Sequence, residues 1–100
     1  MDDNQRDRKS DRHELKADID IRRPGDHRYR APILDFSPEG CRVEVPVHVQ
    51  AGDAIFLSLP GLETIEGKVR WVKEWIAGVE FNRPLYPSVF EMMKDRMRRG

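Results

Sequence analysis

Along most of this 100-residue chain, apolar and polar side chains alternate with a period of two, and proline and glycine cut the alternation into short runs. Period two marks a strand with one buried face, because successive side chains leave a pleated backbone on opposite sides. Leu15, Ala17, Ile19 and Ile21 alternate with Lys16, Asp18, Asp20 and Arg22, and Pro24-Gly25-Asp26 ends that run. A second strand is expected over 27–34, with Pro32 pointing to an edge or a bulge. Ser37-Pro38-Glu39-Gly40 reads as a tight turn in which Gly40 is free to take a positive φ and lets the turn close without a side chain in the way. Cys41, Val43 and Val45 supply a third strand, and Ile55, Leu57 and Leu59 a fourth. Ile65, Gly67, Val69 and Trp71 form a fifth, and Ala77, Val79 and Phe81 a sixth. Glycine inside a strand pattern, as at Gly67 and Gly78, marks a bulge, a bend or a close backbone approach. Six short strands with regular turn signals imply an all-β domain, either a closed barrel or a sandwich.

The two ends differ from this pattern. Residues 1–12 contain almost no apolar side chain, so they bury too little surface to offset their ordering entropy and are expected to form a flexible arm. The folded domain is then expected over 13–100. Past Pro84 the period changes. Val89, Phe90, Met93 and Met97 fall at helical spacing, and Pro87 or Ser88 suits the first turn. That apolar stripe is expected to pack against the strands or cap their open end.

Composition excludes several function classes. The 18 Lys and Arg balance the 18 Asp and Glu, so bulk charge gives no attraction to nucleic acid or to an anionic membrane. No apolar run approaches the roughly 20 residues that cross a bilayer, and the N-terminus is polar and acidic, unlike a signal peptide. The single cysteine, Cys41, forms no internal disulfide and lies on the apolar side of its strand. Together these suggest a cytoplasmic location. His13, His27 and His48 lack metal-ligand spacing, and no glycine-rich phosphate loop or nucleophile elbow occurs. Neither catalysis nor a metal or cofactor is expected.

Two clusters carry possible binding chemistry. Arg8 and Arg12 stand four apart in the polar arm. Guanidinium groups fork onto phosphate oxygens and stack on planar bases, which suits a pair of them to a compact anion. Asp35 and Ser37 stand two apart, on one side of a strand running into the Gly40 turn. A carboxylate accepts paired N–H donors such as a guanine edge presents, and a hydroxyl donates to a nearby acceptor. Each cluster alone also suits an ordinary role, a solvated charge run or a serine turn.

In order and spacing, the R-x-x-x-R run at Arg8 and Arg12 followed by D-x-S-x-x-G at Asp35, Ser37 and Gly40 resembles the PilZ domain family. Gly67-Lys68-Val69-Arg70-Trp71 is similar to the family's G-x-V-x-W strand, and Ala77-Gly78-Val79-Glu80-Phe81 to its A-G-V-x-F closing strand. The resemblance spans roughly residues 6–82. It implies a six-stranded antiparallel β-barrel with a C-terminal helix, binding the bacterial second messenger cyclic di-GMP. Arg8 and Arg12 would hold its phosphates and stack on its guanines, Asp35 and Ser37 would meet a guanine edge, and Gly40 would keep the turn open. The implied role is a non-enzymatic receptor or adaptor that orders its arm and signals to an unidentified downstream protein. A ligand-independent interaction module on the same fold is the alternative. Asp7 replaces the basic residue that many binding members carry before the arginine run, which bears on whether one ligand or a pair is held. Trp71 and Trp75 could serve as base-stacking platforms; a strand tryptophan in a small barrel is more often core, so Trp71 is expected there, and Trp75 lies near a turn with its role open.

Overall fold

The computed structural model describes residues 13–59 and 61–99. Six strands follow one another: β1 (His13–Arg22), β2 (Tyr29–Ser37), β3 (Gly40–Glu44), β4 (Ala54–Ser58), β5 (Ile65–Lys73) and β6 (Ile76–Phe81). One helix, α1 (Pro87–Arg99), closes the chain. All neighbours are antiparallel, in the order β1-β2-β3-β6-β5-β4. Pairing of Asp20–Arg22 with Phe56–Ser58 joins β4 back to β1 and closes the barrel. Closure removes the exposed edges that an open sheet would present. The barrel expected from the resemblance is therefore the observed fold, and the sandwich is set aside.

The core follows the alternation. Ile19, Ile21, Ala31, Ile33, Val43, Ile55, Leu57, Val69 and Val79 all point inward and are buried. Phe36 joins them, with its ring centroid 5.2 Å from Phe90 of α1 and 6.2 Å from Phe81. The helix thus reaches the barrel through Phe90, Met93 and Met97, all buried, as the apolar stripe implied. Lys94 pairs with Glu91 one turn back at 3.0 Å, on the polar side.

The second strand is displaced from expectation: it begins at Tyr29 and continues to Ser37, past Leu34. Pro32 pairs with Asp18 of β1 but precedes Ile33, where the ladder to β3 begins. Its missing N–H therefore breaks no bond on that side, which is how a proline fits inside a barrel strand.

The ladders carry three irregularities, one in β1 between Glu14 and Ala17 and two, in β2 and β5, that decide which side chains of those strands face outward. Ile33 pairs with Val43, but Asp35 pairs with Arg42, so β2 carries an extra residue at Leu34. Val69 pairs with Val79, but Trp71 pairs with Gly78, so β5 carries an extra residue at Arg70. A bulge inserts one residue against a regular partner and reverses the inside–outside phase beyond it. Uninterrupted alternation from Ile33 would send Asp35 inward and Phe36 out; the bulge reverses both. The same reversal turns Trp71 away from the core.

Candidate ligand-binding site

Register places four residues in one row across the outer wall. Asp35 of β2 pairs with Arg42 of β3, Arg42 with Gly78 of β6, and Gly78 with Trp71 of β5. The two bulges bracket the regular β3–β6 pair at this level. Trp71, expected in the core, is 42% exposed, because the bulge at Arg70 turns it outward. Its indole lies across Gly78: a Cβ there would come within 2.2 Å of the indole Nε1. Only a residue without a side chain leaves that seat vacant.

Asp35 and Ser37 share the same outer face, yet each is only 2% exposed. Asp35 accepts the Arg42 backbone N–H on Oδ1 at 3.2 Å and the Arg42 guanidinium Nε–H on Oδ2. Ser37 donates its hydroxyl to the Gly40 carbonyl and accepts the Glu39 N–H, both at 3.3 Å. Gly40 does not use a positive φ; the glycines that do are Gly25, Gly52 and Gly61. Its role is close approach, since a Cβ at Gly40 would meet the Val79 carbonyl oxygen at 2.1 Å. Of the two roles expected for that glycine in the turn, the absence of a side chain is used and the positive φ is not.

Beside this row lies a shallow groove lined by Glu39, Gly40, Arg70, Trp71, Gly78 and Glu80, among others, with Arg70 paired to Glu80 at 2.6 Å. It holds about 170 Å³, below the roughly 300–1,000 Å³ of pockets that enclose a ligand. The face is therefore a platform rather than a cavity. A larger recess of about 840 Å³ lies between residues 61–66 and 82–89. Glu63 and Glu66 line it beside Arg83, so its walls are not strongly cationic and suit a phosphate ester poorly.

Arg8 and Arg12 lie outside the described residues. The strand that follows them is informative, however. His13 pairs with Phe36 and Glu14 with Asp35. The described part of β1 therefore begins at the wall position of Asp35 and Ser37. On this face sequence reasoning missed Arg42 and ranked the outward, stacking position of Trp71 below a place in the core. The glycine at 78, opposite a tryptophan, was the available signal for the second; none marked the first.

Among the described residues no group of three or more His, Cys, Asp or Glu could hold a metal ion, and no helix is long and apolar enough to cross a membrane.

The sequence matches the family model described as PilZ domain over residues 6–92. No curated protein matches it. Among solved structures, the chain is similar to the PlzA protein of Borreliella burgdorferi, determined in complex with c-di-GMP. The TM-score is 0.64 at 18% identity, over 93% of this chain and 42% of that one. This chain therefore spans less than half the length of that protein.

Proposed function

Because the chain belongs to the PilZ domain family, we propose that it is a receptor for cyclic di-GMP that binds through Arg8, Arg12, Asp35, Ser37 and Gly40. The observation that carries the reading is the β1–β2 register, which brings the residue after Arg12 opposite Phe36 and so beside Asp35 and Ser37. That register supports a site in which two motifs far apart in sequence would act together. The similar PlzA structure, which contains c-di-GMP, supports the same ligand class.

The chemistry fits the ligand. A cyclic dinucleotide has two phosphates and two guanines, so it needs cations for the former and an acceptor pair plus planar surfaces for the latter. Arg8 and Arg12 supply charge and stacking, and Asp35 supplies acceptors for guanine N1–H and the 2-amino group. Trp71 adds an exposed indole face in the same row, suited to stacking on a base. Ordering of the 1–12 arm on the ligand would change the surface a downstream protein meets, which is how a receptor without catalysis transmits its state.

A second reading, a ligand-independent interaction module, is favoured by one observation. Asp35 and Ser37 are buried and engaged within their own hairpin, Asp35 with Arg42 of β3 and Ser37 with the turn, as a purely structural motif would be.

Calorimetric titration separates the two. Cyclic di-GMP is expected to bind the parent protein and not an Arg8→Ala, Arg12→Ala double variant, with the stoichiometry reporting whether one ligand or a pair is held beside Asp7. Folded parent protein that gives no heat at physiological salt would refute the receptor and leave the module.

A further inference from the structure

We infer that Arg42 is the positioning residue of the Asp35 carboxylate and thereby sets the guanine selectivity of the site, an inference that rests on the receptor reading above. A guanine edge offers two parallel N–H donors, so an acceptor reads it only when both carboxylate oxygens are held in the right plane. Arg42 touches both oxygens, its backbone N–H on Oδ1 and its guanidinium Nε–H on Oδ2. Two donors from a single residue leave the carboxylate little rotational freedom.

Charge reinforces the geometry. Asp35 is almost wholly buried, and a buried carboxylate without a counter-charge is strongly disfavoured. The Arg42 side chain, 39% exposed, supplies that charge from the rim. The bulge at Leu34 makes the pairing possible by placing Asp35 directly opposite Arg42. On the far side of Arg42 stands Gly78, which has no side chain to compete for the guanidinium. A lysine at 42 would keep the charge but present one point donor instead of a planar fork. Position 42 lies outside the D-x-S-x-x-G run, so the motif alone does not assign it this role.

The test titrates the parent, Arg42→Lys and Arg42→Gln with cyclic di-GMP and with cyclic di-inosine monophosphate, whose bases lack the 2-amino group. Thermal melts and circular dichroism establish that each variant is folded. The parent is expected to prefer the guanine ligand by about tenfold or more, the scale of one hydrogen bond to a charged acceptor. Arg42→Gln should weaken cyclic di-GMP by about tenfold and bring the two ligands to near-equal affinity, with Arg42→Lys between it and the parent. An unchanged ratio between the ligands, whatever the loss of affinity, would overturn the inference, because a general structural or charge role weakens both alike. Tighter binding by Arg42→Gln would also overturn it, showing that Arg42 competes with the ligand for Asp35. A folded parent that binds neither ligand would instead refute the receptor reading and remove the premise. Should Arg42→Gln fail to fold, the ratio measured for Arg42→Lys decides in the same way.

Discussion

Adding one methyl group at Gly78 should dislodge Trp71, and adding one at Gly40 should open the barrel wall, although the two collisions are nearly equal in distance. A Cβ at Gly78 meets the Trp71 indole Nε1 at 2.2 Å, whereas one at Gly40 meets the Val79 backbone oxygen at 2.1 Å. What differs is the freedom of the obstacle. Trp71 is 42% exposed and swings into water; the Val79 carbonyl sits in the β3–β6 ladder, where Cys41 and Val79 are paired. A tryptophan buries about 150–250 Å², so losing roughly half of that at ~25 cal/mol per Å² costs about 2.5 kcal/mol. Gly→Ala returns about 0.4–1 kcal/mol by restricting the unfolded chain, since Gly78 does not need a positive φ. The net cost of Gly78→Ala is then about 1.5–2 kcal/mol, a fall in Tm of roughly 6–15 °C. Gly40→Ala combines overpacking of about 1–3 kcal/mol with one or two ladder hydrogen bonds at about 1 kcal/mol each, and should cost roughly 2–5 kcal/mol. The decisive assay is a double-mutant cycle by urea denaturation, followed by circular dichroism because Trp75 also fluoresces. In a Trp71→Ala background, Gly78→Ala should become neutral or slightly stabilising, whereas Gly40→Ala should keep its full cost. An equal penalty for Gly78→Ala in both backgrounds would show that the glycine answers to something other than the indole.

Two further outcomes follow from the packing and the turns. Phe36→Ala should cost about 3–5 kcal/mol, because a fully buried ring between Phe81 and Phe90 leaves a cavity where the barrel meets α1; a Tm within a few degrees of the parent would contradict that placement. The Asp26 carboxyl is held below the usual aspartate range, first by the hydrogen bonds of the Arg23 guanidinium and then by the His27 backbone N–H. A depressed folded pKa contributes stability above the unfolded value near 4, and that contribution is lost as pH falls through the folded one. Denaturation midpoints should therefore drop more between pH 6 and pH 3 in the parent than in Asp26→Asn, and identical pH slopes would refute the assignment.

Much of the architecture is legible in the residues. The alternation located six strands, and the period change after Pro84 located the helix with its buried Met93 and Met97. Asp35 and Ser37 were readable as one face, because two residues two apart in any strand share a side. The larger surprises were Trp71, which alternation from Val69 sends inward and the protein sends out, and Arg42, whose charge looked like ordinary outer-face polarity. The second strand also outran its expected end, carrying Phe36 into the core.

The reason lies in where each property is encoded. Period, turn residues and helical spacing are local, so the sequence by itself determined the element order, most of the inward-facing set and the candidate motifs. Bulges are not local. The extra residues at Leu34 and Arg70 exist only relative to the partner strands β3 and β6, which set the register against which one residue too many is counted. Tertiary pairing alone therefore decided that Asp35 meets Arg42, that Trp71 lies on Gly78, and that the strand following Arg12 runs beside Asp35.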